Sequence, residues 1–546
     1  MKRVVGVVFV LLCGVASVYA VEKRPLGVDD IFRSGRVTDP QVSPNGKWIA
    51  YTVSYDIKET NETDSDIWII PTEGGEPRQL TNSPEEDRSP RWSPDGGQIA
   101  FLSERDGTSQ IWLIAAGGGE ARKLTSLSTG LSSPVWSPDG KYLLAESRVY
   151  PDLTTDEENE RRNDEKEESL CKARVIDELL YRHWDTWQDD KRKHVFLVDA
   201  KNGTCRDVTP GDYDSPPISL GSSHDYAFSP EGEEICFVRN TDPVVTISTN
   251  NDLFIIPMES GNPTRVTTSR ACDNGPRYSP DGRYIAYRGM SRPGFESDRY
   301  RLMLWDRKTG NHINLTEDFD RSIRDLVWSP NSKKMYFTCR DEGRCNIYSV
   351  DIRTKAVEQL TDEGYSQSLT VTPDGRHLIF VRSSCLYPDE VHRLPVAGGD
   401  AVQLTFTNEK VLAQIVMQPL EEFWFEGAEG TQVHGFLLKP PFFDPGERYP
   451  VICVIHGGPQ GMWGDRFMTR WFTFELVSAP GYVSVFINPR GSQGYGQQFV
   501  DEVSTDYGNR CYVDVMKGMD FVCQEYAFVD SSKKAVMGGS FGGYMV

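Results

Sequence analysis

The sequence predicts an all-β propeller of seven blades, followed by the first part of an α/β domain. Three observations support this fold class. A four-residue turn motif recurs seven times, an apolar-Thr step follows each repeat, and the texture changes after residue 405 to continuous apolar strands. The chain has 546 residues, more than one domain usually contains, so at least two domains are expected.

The composition describes an acidic, folded chain. Lys and Arg number 59 against 80 Asp and Glu, which gives a formal charge of -21. Nucleic-acid binders need a basic face, and so do proteins that bind anionic membranes, so both classes of partner are excluded. Aromatic residues make up 11% of the chain, far more than disordered sequences contain.

The first 20 residues have the pattern of an export signal. Lys2 and Arg3 precede an apolar run that reaches Leu12, and Val18 and Ala20 supply small side chains for a peptidase that cleaves after Ala20. A buried N-terminal helix is the alternative. The run is short for a membrane span, and no later segment approaches the roughly 20 apolar residues that a span needs. We expect a soluble protein exported to the periplasm or the medium.

The recurring motif is a Ser-Pro-Asp-Gly turn. Ser or Thr caps the first position, Pro fixes φ at the second, and Asp or Asn suits the third, which is the chemistry of a type I turn. An alternating strand follows most copies. The seven copies occupy these positions: 43–46, 93–96, 137–140, 229–232, 279–282, 329–332 and 372–375.

Each repeat closes on an apolar residue followed by Thr. The seven threonines are Thr81, Thr125, Thr209, Thr267, Thr316, Thr361 and Thr405. A period of about 45 residues with several strands per repeat is typical of propeller blades. One gap between turns is twice as long but contains a single closure, so it is one blade with an insertion. We therefore expect seven blades across residues 30–410.

The insertion covers about residues 150–192. Its first part is densely acidic, and we interpret it as a solvated charged loop. Its second part concentrates aromatic residues beside charges between Tyr181 and Trp187. Two readings of that part remain open, a wall of a site and packing against the propeller rim.

The cysteines and histidines predict no metal centre, because no group of them has the spacing of metal ligands. Export permits disulfides. Cys339 and Cys345 flank a hairpin-like turn, which places them as candidates to face each other across two strands.

Residues 411–546 read as the start of an α/β domain. Phe436–Pro440, Val451–Ile455 and Tyr482–Ile487 are predicted strands, and the second is an unbroken apolar run of the kind that parallel sheets bury on both faces. A helix is predicted over Asp506–Tyr526. A further strand, Lys534–Met537, leads into Gly-Gly-Ser-Phe-Gly-Gly.

That last element fits the nucleophile elbow of an α/β-hydrolase, G-x-S-x-G. The turn from strand to helix is so sharp that Gly538 and Gly542 must lack side chains, and it exposes the hydroxyl of Ser540. Ser540 is therefore the candidate nucleophile. The oxyanion would be bound by the N–H of Phe541 and, from the upstream His-Gly-Gly-Pro turn, the N–H of Gly458.

The general base is expected after the nucleophile, because this fold orders its triad Ser, then Asp or Glu, then His. His456 precedes Ser540 and is interpreted as a decoy. None of the six residues after Ser540 is Asp, Glu or His. We therefore expect an incomplete hydrolase domain, inactive as given, whose Asp and His lie in a further ~130 residues or more.

These motifs together resemble the prolyl oligopeptidase family of serine peptidases, and most closely its dipeptidyl peptidase V and acylaminoacyl peptidase branches. The resemblance rests on His456–Pro459, Asn488–Gly496 and Gly538–Gly543. It implies an enzyme without a cofactor that releases N-terminal dipeptides from short peptides. Such an enzyme must hold a free ammonium group with a carboxylate, for which Glu178 and Asp185 in the insertion are candidates.

Two alternatives stay open. One is acylaminoacyl peptidase or oligopeptidase activity within the same family. The other belongs to another class, a non-catalytic propeller that binds a protein partner, although such a module has no use for Ser540.

Overall fold

A computed structural model describes residues 23–177, 179–223, 225–259, 261–468 and 474–546. The predicted export signal, residues 1–20, lies outside the described residues. The described chain begins with a short helix, α1 (Val28–Arg33), and continues into antiparallel sheets of four strands.

The first four sheets follow one another along the chain. Their strands are β1 (Arg36–Val42), β2 (Trp48–Ile57), β3 (Glu62–Pro71) and β4 (Arg78–Gln79); β5 (Asp87–Trp92), β6 (Gln98–Ser103), β7 (Gln110–Ala115) and β8 (Arg122–Lys123); β9 (Ser132–Trp136), β10 (Tyr142–Val149), β13 (Arg192–Asp199) and β14 (Cys205–Asp207); and β15 (Tyr226–Phe228), β16 (Glu234–Asn240), β17 (Asn251–Pro257) and β18 (Thr264–Arg265). In each sheet, neighbouring strands pair in chain order.

The next strands repeat this arrangement. A fifth sheet contains β19 (Asp273–Tyr278), β20 (Tyr284–Gly289), β21 (Arg301–Asp306) and β22 (His312–Asn314). An eight-stranded sheet joins β23 (Ile323–Trp328), β24 (Lys334–Asp341), β25 (Arg344–Asp351) and β26 (Val357–Gln359) to β27 (Tyr365–Val371), β28 (His377–Ser384), β29 (Tyr387–Pro395) and β30 (Val402–Gln403). Its two halves meet at a single parallel bridge between Cys345 and Tyr365. Together these sheets form the propeller part of the molecule.

The recurring turn has the predicted chemistry. In every copy the N–H of the fourth residue donates to the carbonyl of the first, as Gly46 does to Ser43 at 2.8 Å. The fourth residue is glycine in six copies and has φ near +70°, a conformation that costs glycine little. Ser332 occupies the same place in the sixth copy along the chain, with φ 58°.

The seven threonines have one structural role. Each hydroxyl accepts the N–H of the residue fourteen positions earlier, in the third strand of its unit, over 2.8–3.0 Å. Thr81, Thr125, Thr267 and Thr405 also donate to a side chain of that strand. The apolar-Thr step thus ties the end of each unit to its own interior.

The insertion differs from its prediction. Residues 156–168 form a helix, α2 (Asp156–Glu168), where we expected a charged loop. Thr155 accepts the N–H of Glu158, whose side chain caps in return, so this capping box begins the helix. The aromatic part forms a short hairpin of β11 (Arg182–His183) and β12 (Thr186–Trp187).

The predicted pairing of Cys339 with Cys345 is wrong. Cys339 lies opposite Asn346, and Cys345 lies opposite Arg340, so the two cysteines point to opposite faces of the hairpin. All ten cysteines in the described ranges are free.

The α/β part follows α3 (Glu409–Leu412). Its sheet has the strand order β31 (Glu421–Glu426), β32 (Gln432–Leu438), β34 (Val483–Asn488), β33 (Tyr449–Ile455) and β35 (Val529–Gly538). The last three are parallel, as the apolar runs predict. The helices are α4 (Phe474–Ser478), α5 (Gln497–Asp501), α6 (Arg510–Glu525) and α7 (Phe541–Met545), and short 3-10 turns span Val245–Ile247 and Ala428–Gly430.

Candidate active site

Ser540 lies between the end of β35 and the start of α7. Its φ of 56° and ψ of −123° are a strained conformation for a residue with a side chain. A Cβ on Gly538 would lie 2.5 Å from the backbone of Gly542, and one on Gly542 would lie 2.1 Å from the carbonyl oxygen of Ile455. The turn therefore closes only with glycines on both sides, and Ser540 is left exposed.

The turn after β33 faces Ser540. A Cβ on Gly457 would lie 3.7 Å from Ser540 Oγ and 3.2 Å from its Cβ. A Cβ on Gly458 would instead meet the backbone nitrogen of Gln460 at 2.3 Å. Gly457 thus lies against Ser540, and it is followed by Gly458, whose N–H the sequence offers as an oxyanion donor.

His456 is buried beneath the same turn. Its Nε2 lies 2.9 Å from Ser492 Oγ, and its Nδ1 lies 2.9 Å from the carbonyl oxygen of Gly457. Burial lowers the pKa of His456 to about 4, so the ring is neutral and a weak base at physiological pH. Its contacts link the turn after β33 to the loop after β34.

A cavity of 390 Å³ opens at Ser540. One wall is apolar and the other carries two guanidinium groups. The apolar wall consists of Trp184, Met462, Trp463, Met468 and Phe474. The polar side consists of Arg340, Tyr365 and Arg466, together with His456, Gly457, Gly461, Gly464 and Gly539 near the nucleophile. The insertion, the propeller and the α/β part all contribute to it.

The hairpin turn between β24 and β25 brings the propeller to this cavity. Glu342 N–H donates to the carbonyl of Gly494 at 3.2 Å, and Asp465 N–H donates to the carbonyl of Gly343 at 2.8 Å. A Cβ on Gly464 would lie 1.8 Å from that same Gly343 oxygen, so the two backbones are in direct contact. This contact holds Arg340 at the edge of the cavity.

Of the two predicted ammonium-binding residues, Asp185 is not part of the lining of the cavity at Ser540. Glu178 lies outside the described residues. Asp185 is exposed, and its Oδ1 accepts a hydrogen bond from Thr186 Oγ1 at 3.4 Å. The residue that the hairpin β11–β12 contributes to the cavity is Trp184.

Sequence reasoning also missed Arg340, Tyr365 and Arg466. They belong to no motif and meet only because distant segments fold together. Across residues 23–177, 179–223, 225–259, 261–468 and 474–546, no group of three or more His, Cys, Asp or Glu side chains has the geometry of a metal site. Within the same ranges, no helix combines the length and apolar character needed to cross a bilayer.

Comparison with known proteins agrees with this geometry. Residues 31–167 match the TolB β-propeller domain, and residues 467–546 match the prolyl oligopeptidase family. Dipeptidyl-peptidase 5 of Porphyromonas gingivalis is 31% identical over 520 residues, which cover 94% of this chain and 74% of that protein. The uncharacterized peptidase YuxL of Bacillus subtilis is 32% identical over 538 residues, which cover 96% of this chain and 80% of that protein.

Solved structures give the same fold. Acylaminoacyl peptidase of Pyrococcus horikoshii superposes with a TM-score of 0.78 at 21% identity, and the match covers 96% of this chain and 76% of that one. A propeller joined to an α/β-hydrolase part with a serine at the elbow defines a serine peptidase, a class of hydrolase. The chain belongs to the prolyl oligopeptidase family.

Proposed function

We propose that the protein is an exported serine exopeptidase that releases N-terminal dipeptides from short peptides through Ser540. The observation that carries the proposal is the strained Ser540, which faces Gly457 within a cavity built from the propeller and the α/β part. The dipeptidyl specificity is supported by the relative from P. gingivalis, whose name states that activity.

The chemistry would be acyl transfer. Ser540 Oγ forms a bond to the carbonyl carbon of the second residue, the C–N bond breaks, and the departing amine takes up the proton that Oγ loses. Water then hydrolyses the ester and restores the hydroxyl. The oxyanion would accept the N–H of Phe541 and an N–H of the turn at Gly457 and Gly458.

The size of the cavity fits a short peptide segment. Its volume of 390 Å³ is at the lower end of the ~300–1,000 Å³ that ligand pockets usually have. The hairpin turn of the propeller and the tip of the insertion both reach it. Their position over Ser540 favours chain ends and short peptides over folded proteins.

The test compares three reagents on the full gene product. A fluorophosphonate probe should label the protein, and a chromogenic dipeptide with a free amine should be hydrolysed faster than its N-acylated counterpart. Ser540→Ala should lose both labelling and hydrolysis. Ser532→Ala, which removes an exposed hydroxyl bonded to Asp530 in β35, should retain both.

The outcomes separate the alternatives. Equal or faster turnover of the acylated substrate would replace the dipeptidyl assignment with acylaminoacyl peptidase activity, which the P. horikoshii neighbour favours. A folded protein that neither labels nor hydrolyses any of the peptides would point to a binding propeller instead.

Export belongs to the same proposal. It is supported by the basic, apolar and small-residue pattern that ends at Ala20. Sequencing the mature N-terminus should find Val21 as the first residue. A mature protein that still begins at Met1 in the cytoplasm would contradict export.

The ring of seven blades is proposed on two grounds. Seven units of four strands carry the same turn and the same threonine clasp. The first unit also packs against the last, where Val37 and Ile49 share a core with Val381 and Leu404. A ring closed by such a contact leaves no exposed sheet edge between its first and last units.

A further inference from the structure

Two arginines meet on one tyrosine in the cavity at Ser540. Arg340 lies at the end of β24 in the propeller, and its Nε donates to the hydroxyl of Tyr365 at 3.1 Å. Arg466 follows β33 in the α/β part, and its guanidinium carbon lies 4.5 Å from the centre of the Tyr365 ring. Both side chains line the same cavity as Ser540.

Neither guanidinium has an acidic partner in the described part of the chain. Among the described residues, no carboxylate oxygen lies within 4.0 Å of Arg340 or Arg466, whereas the buried Arg490 contacts Asp514 at 3.2 Å. The other contact of Arg340 is neutral, because its Nη1 donates to Gln493 Oε1 at 2.7 Å.

Arg466 also leaves a donor unused. Its Nε is buried and has no hydrogen-bond partner among the described residues. Such a donor is energetically unfavourable, so an acceptor that enters the cavity would stabilise it. The charge of Arg466 lowers the pKa of Asp389, but burial raises it more. The carboxylate of Asp389 accepts hydrogen bonds from Gln367 at 3.3 Å.

A carboxylate is the acceptor that fits this arrangement. The guanidinium group presents its donors in a planar fork that matches the two oxygens of a carboxylate. The same cavity is lined by the apolar side chains of Trp463 and Phe474, and apolar surroundings strengthen such a pair. A phosphate would bring a second charge and a tetrahedral shape to a cavity that opens on a peptidase serine.

We propose that Arg340 and Arg466 form a carboxylate-binding site that makes this peptidase prefer peptides with a carboxylate close to the scissile bond. This inference rests on the proposed function, because it assumes that peptides occupy the cavity at Ser540. The carboxylate has two possible sources. It is the side chain of an Asp or Glu in the first two residues, or the terminal carboxylate of a tripeptide.

The experiment measures binding, so it does not depend on turnover. The Ser540→Ala form of the full gene product is titrated calorimetrically with three matched pairs of peptides: Ala-Asp amide with Ala-Asn amide, Asp-Ala amide with Asn-Ala amide, and Ala-Ala-Ala acid with Ala-Ala-Ala amide. In at least one pair, the member with the carboxylate should bind at least tenfold more tightly. The first two pairs report a side chain, and the third reports the chain terminus.

Variants then locate the preference. Arg466→Gln and Arg340→Gln should each reduce the ratio within that pair to less than threefold, and Arg466→Lys should retain part of it. Arg376→Gln, which alters an exposed arginine in a distant turn, should leave the ratio unchanged. The ratio is independent of the folded fraction, because both members of a pair titrate the same sample.

Each outcome of these titrations supports or overturns the carboxylate site. Equal affinity within all three pairs, tighter binding of the neutral members, or no binding of any peptide would overturn the carboxylate site. A preference that survives both Gln variants would overturn its assignment to these arginines. Failure of the proposed function would give a different result. The protein would still prefer peptides with a carboxylate, but the fluorophosphonate probe would not label Ser540.

Discussion

Two cavities share the insertion as a wall, and they differ in how their charges are paired. The cavity at Ser540 measures 390 Å³ and receives Trp184 from the tip of the hairpin β11–β12. A second cavity, of 520 Å³, is lined by residues at the base of that hairpin, including Tyr181 and Gln188. The second is larger, and it carries six aspartates.

Five of the six aspartates of the larger cavity have partners within the protein. Asp189, Asp190 and Asp212 form ion pairs at 2.8–3.0 Å, and Asp214 and Asp242 accept hydrogen bonds. The partners are, in the same order, Arg148, Lys166, Arg192, the N–H of Lys193 and the hydroxyl of Ser248. Of these contacts, the ion pair between Asp189 and Arg148 joins the insertion to the propeller strand β10.

The smaller cavity is the opposite case. It combines a strained Ser540, the buried Nε of Arg466 without a partner, and two guanidinium groups without a carboxylate among the described residues. The volume of a cavity therefore does not by itself mark a functional site. Charges satisfied internally build the structure, whereas unsatisfied ones beside a nucleophile await a ligand.

The largest effect on the cavity at Ser540 is expected from Gly542→Ala. The new Cβ would lie 2.1 Å from the carbonyl oxygen of Ile455, so the elbow must open and Ser540 must move. We expect labelling by the fluorophosphonate probe to fall more than a hundredfold. Gly117→Ala is the control, since a Cβ there has no heavy atom within 4 Å. Labelling at the wild-type rate in Gly542→Ala would refute the role of the elbow.

The next effect concerns pH. Glu475 in α4 follows Phe474 of the smaller cavity, its Oε2 is buried without a partner among the described residues, and burial raises its pKa to about 8. The unfolded chain loses this proton near pH 4.5 while the folded protein keeps it, so the contribution of Glu475 to stability falls as pH rises from about 4.5 to 8.

Glu475→Gln should remove that slope. Relative to the wild type, the variant should gain roughly 3 kcal/mol of unfolding free energy between pH 5 and pH 8, measured by urea denaturation. Glu447→Gln, at an exposed position, serves as the control and should follow the wild type. Parallel pH curves for wild type and Glu475→Gln would contradict a buried, protonated Glu475.

A third change tests the contact that positions Arg340. Gly464→Ala would place a Cβ 1.8 Å from the carbonyl oxygen of Gly343 and push the propeller hairpin away from the α/β part. We expect labelling of Ser540 to slow about tenfold and the preference for carboxylate peptides to weaken with it, whereas Gly117→Ala changes neither. If labelling slows but the preference is unchanged, Arg340 does not depend on this contact.

The smallest effect is expected in the larger cavity. Asp212→Asn removes one ion pair with Arg192, in which the aspartate is 71% exposed. Pairs of this kind contribute about 0.5 kcal/mol, so the unfolding free energy should change by no more than that, and labelling of Ser540 should stay within twofold of wild type. A large loss of labelling would show that the two cavities are functionally coupled.

The repeated part of the fold was readable because its signals are local. Each turn is encoded by four consecutive residues, and each threonine clasp spans fourteen, so neither needs knowledge of the rest of the chain. The parallel strands β33 and β34 were likewise marked by unbroken apolar runs. The elbow at Ser540 could be located for the same reason, since its glycines stand next to it.

The helix α2 was misread although its signal was present. Thr155 and Glu158 have the spacing of a capping box, but no apolar stripe follows them, and the high charge density favoured a loop. The structure stabilises the helix through its own charges, among them an ion pair of Arg162 with Asp152 at 2.7 Å. Charge content alone therefore did not decide between loop and helix.

The rest of the site could not be predicted from local patterns. The cavity at Ser540 draws side chains from distant segments, namely Trp184, Arg340, Tyr365 and Arg466. The first two are 156 residues apart in the sequence. The four meet only through the packing of three parts of the chain. Their meeting leaves no trace in residue type or spacing.

The insertion leaves the propeller and returns to it at neighbouring points, because Val149 and Arg192 are paired across β10 and β13. A segment with such adjacent ends can be exchanged without moving the strands on either side of it. Lengthening it costs little, since each doubling of a loop adds only about 0.6 kcal/mol of closure entropy. The insertion carries Trp184. Exchanging it for another segment would therefore change one wall of the peptidase cavity while every sheet of the propeller stayed intact. Substrate range can thus diversify through one replaceable segment.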